Sequence, residues 1–134
     1  MECGLACISM LATFYGHPIP LSHLRARFAV GATGVSINGL LKVLEHLGHK
    51  GAAIDATLSD LARLGVPAII HLHPGHFVVL GRQTPTKTEV LDPSQGRLRL
   101  PAGALEKRYT GSAIVIFPEE GRLPRSPDYR TFRY

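Results

Sequence analysis

Three residues spread along the chain have the types that acyl-transfer chemistry uses: Cys3, His76 and Asp92. A thiolate is a strong nucleophile, it needs a base to form near neutral pH, and an imidazole base works best when an acceptor fixes its tautomer. Cys3 opens a run to Phe14 in which Ser9 and Thr13 are the clearly polar residues. That pattern predicts a helix buried on most sides, with Cys3 at its start. The unpaired N–H groups and positive dipole end of a helix favour a thiolate over a thiol. His76 follows the Pro74-Gly75 turn and opens the apolar run Phe77-Val78-Val79-Leu80, which predicts an imidazole held at a strand start. Asp92 follows Glu89-Val90-Leu91 and precedes Pro93. If a strand Thr88–Leu91 pairs beside His76–Leu80, its terminal carboxylate approaches that histidine.

Plainer roles compete for the same residues. Cys7 reads as a small buried hydrophobe, His76 as a turn histidine satisfied by backbone, and Asp92 as a turn opener before proline. His71 and His73 share one face of a strand by two-residue alternation, while His17, His23, His46 and His49 fall in turns or helical segments and read as surface or capping groups. Cys3, Cys7, His71, His73 and His76 together would suffice for a four-coordinate zinc, but the three-residue gap between the cysteines is not the usual knuckle spacing and no second compact pair is present. The reading is therefore of a chain without a metal or cofactor.

The elements that would position these groups can be placed from the sequence. After the first helix, Gly16 to Pro20 breaks the chain, and Leu21 to Phe28 is a short helix with Leu21, Leu24 and Phe28 on one face. Residues 31–34 form a turn. Ser36 caps a helix from Ile37 to Leu47, whose apolar face is Leu40, Leu41, Val43, Leu44 and Leu47, with Gly48 as its stop. Gly51 to Asp55 is a strand, and Thr57 or Ser59 caps a brief helix through Leu64. The apolar run ending at His73 and the run from His76 form an antiparallel hairpin across Pro74-Gly75. Thr88 to Leu91 and Arg97 to Leu100 continue the strands around the turn Asp92 to Gly96, Ala102 to Lys107 makes a short helical turn, and Ser112 to Phe117 is the last strand. Helices first and then a small, mostly antiparallel sheet give an α+β class.

Size and charge narrow the function classes. The 134 residues, 45% of them hydrophobic, suit one domain with its own core and exclude a disordered chain. No apolar run is long enough to span a bilayer, and no basic region precedes the first apolar segment. Two cysteines four apart in one helix make a poor staple, so a reducing compartment is expected. The formal charge is +5, with Arg122, Arg125, Arg130 and Arg133 concentrated in a Pro/Arg-rich tail. With no nucleic-acid motif or aromatic platform, no nucleic-acid partner is expected. The division is a domain over residues 1–118 and a tail or linker over 119–134.

The motifs in order resemble a known family. Glu2-Cys3-Gly4-Leu5-Ala6-Cys7-Ile8-Ser9-Met10, followed by Phe14-Tyr15-Gly16, resembles the cysteine motif of the C39 peptidases, the bacteriocin-processing papain-like domains typified by the colicin V exporter. Gly75-His76-Phe77-Val78-Val79-Leu80 resembles their histidine motif, and Val90-Leu91-Asp92-Pro93-Ser94-Gln95-Gly96 their aspartate motif. The resemblance implies a papain-like fold, Cys3 as nucleophile, His76 as general base and later acid, and Asp92 as its orienter, with Cys7 as packing. It implies cleavage of a double-glycine leader, with a narrow groove beside Cys3 that rejects side chains. Its implied partners are that leader peptide, a membrane exporter and the exporter's ATPase domain, on the cytoplasmic side of the bacterial inner membrane. ATP belongs to the full exporter, since this chain carries no P-loop signature. The family also places a glutamine six residues before the cysteine as an oxyanion donor, whereas this sequence starts two residues before Cys3. A longer exporter, a replacement donor such as Gln95 or Asn38, and a weak or inactive relative that only binds leaders all accommodate that difference.

Overall fold

A computed structural model describes residues 3–28 and 36–117. The expected turn at 31–34 and the tail from 118 lie outside the described residues. Four helices and six strands follow in the order α1 (Cys3–Phe14), α2 (Leu21–Arg27), α3 (Ile37–His46), β1 (Lys50–Asp55), α4 (Leu58–Leu64), β2 (Ala68–Leu72), β3 (His76–Gln83), β4 (Lys87–Asp92), β5 (Gly96–Pro101) and β6 (Tyr109–Phe117). The α+β class holds, and β1 precedes α4 as the sequence placed them, so helices and strands are not fully segregated.

The expected helices form with their expected signals. Ser36 accepts from the Gly39 N–H at 3.1 Å at the start of α3. Thr57 and Asp60 make a reciprocal capping box on α4, and Gly65 ends that helix in the left-handed conformation at φ 67°. The stretch expected as a helical turn at Ala102–Lys107 is instead a succession of tight turns, with Glu106 N–H bonded to Gly103 C=O at 3.2 Å and Arg108 N–H to Leu105 C=O at 3.0 Å. Gly103 at φ 84° is incompatible with continuous helix there.

The sheet is antiparallel throughout, in the order β1-β6-β2-β3-β4-β5. Alternation gives it two apolar faces. Ile69, Phe77, Val79, Leu91, Ile114 and Ile116 join the core beneath α1, α2 and α3. Ile70, Leu72, Val78, Leu80, Val90 and Val115 join a second core with Leu58 and Leu61 of α4 and with Leu105. Helix α1 lies between the sheet and the other N-terminal helices, touching β2, β3, α2 and α3, so its near-continuous apolar sequence is needed on nearly every side. Its two polar residues are satisfied locally: the Ser9 hydroxyl donates to Ile19 C=O at 2.7 Å and the Thr13 hydroxyl to Ser9 C=O at 3.0 Å. Close packing at the α1–α3 contact depends on Gly4, because a Cβ there would sit 2.8 Å from Leu40 Cδ2.

Candidate active site

The β2–β3 hairpin and the β3–β4 pairing bring two of the expected residues together. Strands β3 and β4 pair with Val79 opposite Leu91 and Leu80 opposite Val90. That register brings the end of β4, where Asp92 stands, level with the start of β3, where His76 stands. Nε2 of His76 lies 3.0 Å from Oδ1 of Asp92. Both are largely shielded, with His76 19% and Asp92 8% exposed in their side chains, so solvent screens this pair less than a surface ion pair.

Asp92 is held from a second direction. The Ser94 N–H donates to the same Oδ1 at 2.9 Å and the Ser94 hydroxyl at 2.8 Å. Burial pushes the Asp92 carboxyl up, but the bonds from Ser94 and His76 outweigh it and leave the group below its ordinary range, hence ionised at neutral pH. The sequence reading quoted Ser94 within its motif but gave it no role. The signal was present in Asp92-Pro93-Ser94, where an aspartate two residues before a backbone N–H closes an Asx turn.

Cys3 is the first residue of α1 and is partly buried against the core beneath that helix. Helix α1 rests on β3. Cys7, one turn further along, is fully buried, and burial, then Cys3, then Asp92 push its thiol well up. Cys7 therefore stays a neutral thiol in the core, as its packing reading requires, while Cys3 keeps access to solvent. The arrangement is an imidazole paired with a carboxylate at one end of the sheet, and a cysteine at the start of a helix that packs on β3.

The other singled-out residues go elsewhere. His71 Nδ1 lies 3.3 Å from the Thr110 hydroxyl and its ring is 4.8 Å from that of Phe77. Burial, then the neighbouring His73, lower its pKa, so it is a neutral packing histidine. His73 is exposed, as are His17, His23 and His46. Gln95 is exposed in the β4–β5 turn and its N–H donates to Asp92 C=O at 3.2 Å. Asn38 is exposed in the first turn of α3. Among the described residues, no group of three or more His, Cys, Asp or Glu side chains is placed to hold a metal ion. An open groove of about 730 Å³ is lined by Gly75, Phe77, His71, Ser112, Asn38 and Asp55, and Cys3, His76 and Asp92 do not line it.

Comparison with known proteins agrees with this architecture. Residues 1–121 match the Peptidase C39 family. The chain is 34% identical over 129 residues to the probable microcin-H47 secretion/processing ATP-binding protein of Escherichia coli, covering 96% of this chain and 18% of that protein. It is 32% identical over 117 residues to the colicin V secretion/processing ATP-binding protein of Escherichia coli, covering 87% of this chain and 17% of the relative. It thus spans less than a fifth of the length of these relatives. Among solved structures it resembles a double glycine motif protease from an AMS/PCAT transporter in complex with the leader peptide, with a TM-score of 0.80, 27% identity, and coverage of 88% of this chain and 85% of that one. The fold is that of papain-like peptidase domains, and the chain belongs to the peptidase C39 family.

Proposed function

We propose that this chain is a thiol peptidase that cuts a precursor peptide after a double-glycine leader. The observation that carries the reading is the 3.0 Å contact between His76 Nε2 and Asp92 Oδ1, in a C39 chain whose core helix begins with a cysteine. With Nε2 committed to the carboxylate, Nδ1 is the nitrogen left to serve the thiol.

Nδ1 of His76 takes the proton from Cys3 Sγ, and the sulfur attacks the carbonyl carbon of the second leader glycine. The backbone N–H of Cys3, at the helix start, donates to the developing oxyanion. The imidazolium is stabilised by the ionised Asp92 until its Nδ1 proton passes to the departing amine. That breaks the peptide bond and leaves the leader as a thioester on Cys3. Water, deprotonated by His76, then releases the leader carboxylate and restores the thiol. The resemblance to a protease domain solved with its leader peptide supports an extended peptide as the substrate. The relatives are named secretion/processing ATP-binding proteins, which supports a setting beside an ATP-driven exporter, and the family resemblance supports the cytoplasmic side of the membrane for it. Residues 1–118 are then the peptidase domain and 119–134 the link onward.

Mass mapping of a synthetic precursor with a Gly-Gly leader tests the reading. The expected products are a leader ending in the carboxylate of the second glycine and a mature peptide with a new amino terminus. Replacement of that glycine by valine should abolish cleavage. A precursor that is bound but intact after long incubation would replace this reading with leader binding alone.

A further inference from the structure

Asp92 Oδ1 accepts three hydrogen bonds, from His76 Nε2 at 3.0 Å, the Ser94 N–H at 2.9 Å and the Ser94 hydroxyl at 2.8 Å. Beside an ionised carboxylate the serine oxygen must be the donor. The β4–β5 turn does not need that hydroxyl. It is closed by Gln95 N–H on Asp92 C=O at 3.2 Å, by the pairing of Asp92 with Gly96, and by Gly96 at φ 92°. The Ser94 N–H completes the Asx closure, and any residue except proline would supply it. The hydroxyl is a separate donor, and it meets the oxygen that faces the imidazole.

We propose that Ser94 is a positioning residue for the His76–Asp92 pair: its hydroxyl pins Oδ1 opposite Nε2, holding the imidazole in the tautomer that leaves Nδ1 to accept a proton. A carboxylate's terminal torsion is broad and soft, and with only the imidazole and one backbone N–H on Oδ1 it keeps some of that freedom. A second side-chain donor from the far side removes that freedom without adding charge. The titratable groups that face Asp92 are His76 from β3 and, at longer range, Cys7 from α1. Neither changes when the serine hydroxyl is removed. Both the Ser94 N–H and its hydroxyl lower the Asp92 pKa, and loss of the hydroxyl alone raises it part of the way.

The activity arm of the test rests on the peptidase reading, while the titration arm does not. The full chain, Ser94→Ala and Ser94→Thr are compared in two ways: by carbon NMR titration of the Asp92 carboxyl together with nitrogen shifts of the His76 ring, and by kcat and KM on the Gly-Gly precursor across pH. In Ser94→Ala the Asp92 midpoint should move up, the share of the Nε2–H tautomer should fall, and kcat should drop about tenfold with KM little changed, the scale of one hydrogen bond to a charged group. Ser94→Thr keeps the hydroxyl and should restore all three. An Asp92 midpoint and a His76 tautomer in Ser94→Ala that match the parent would overturn the proposal, as would a parent-like kcat. If the parent cuts nothing, the peptidase reading fails while the two NMR measurements still decide the role of Ser94.

Discussion

At the scale of single residues, burial divides labour between two cysteines one helical turn apart. Cys7 has no exposed surface and its thiol is pushed well up, while Cys3 is partly exposed at the helix start. A brief pulse of iodoacetamide on the folded chain should therefore alkylate Cys3 and spare Cys7 until denaturant is added, as read by peptide mass mapping. Asp92 gives a second prediction. Its folded pKa lies below its ordinary value, so the stability it contributes is complete above the unfolded value of about 4 and is lost as pH falls through the lower folded value. Urea unfolding midpoints of the parent should consequently fall more steeply below about pH 4 than those of Asp92→Asn, which carries no such proton. Coincident curves would mean that the carboxylate gains nothing from its three donors. The placement of His76 and Asp92 was legible because each stands at the edge of an apolar run beside a turn. The part played by Ser94 was not, since a donor to a side-chain oxygen leaves no periodic trace in the sequence.

At the scale of elements, the sequence was most informative where periodicity met a local stop signal. Helix α3 ran where Ser36 and Gly48 bracketed it, and the β2–β3 hairpin turned at Pro74-Gly75. The order of the sheet was not readable in this way: β6 inserts between β1 and β2, a long-range pairing that no local pattern encodes. Ala102–Lys107 had helical composition, yet Gly103 in a positive-φ conformation breaks it into turns. The α1–α3 contact was also invisible in advance, because Gly4 matters only through its partner. A side chain there would run into Leu40, itself fully buried. Gly4→Val should destabilise the fold by about 1–3 kcal/mol, the usual cost of overpacking a close-packed core. Thermal melting checks this, and an unchanged midpoint would show that α1 and α3 can separate freely at that end.

At the scale of the whole molecule, two apolar faces of one antiparallel sheet serve different ends. The face under α4 is packed with aliphatic side chains and closes the back of the molecule. The face under α1 holds the helix whose first residue is Cys3, and the His76–Asp92 pair stands where the start of β3 meets the end of β4. The direct measurement is the rate at which the parent and Cys3→Ala cut the same double-glycine precursor, with circular dichroism showing both folded. The account predicts cleavage after the second glycine by the parent and none by the variant; equal rates from the two chains would contradict it.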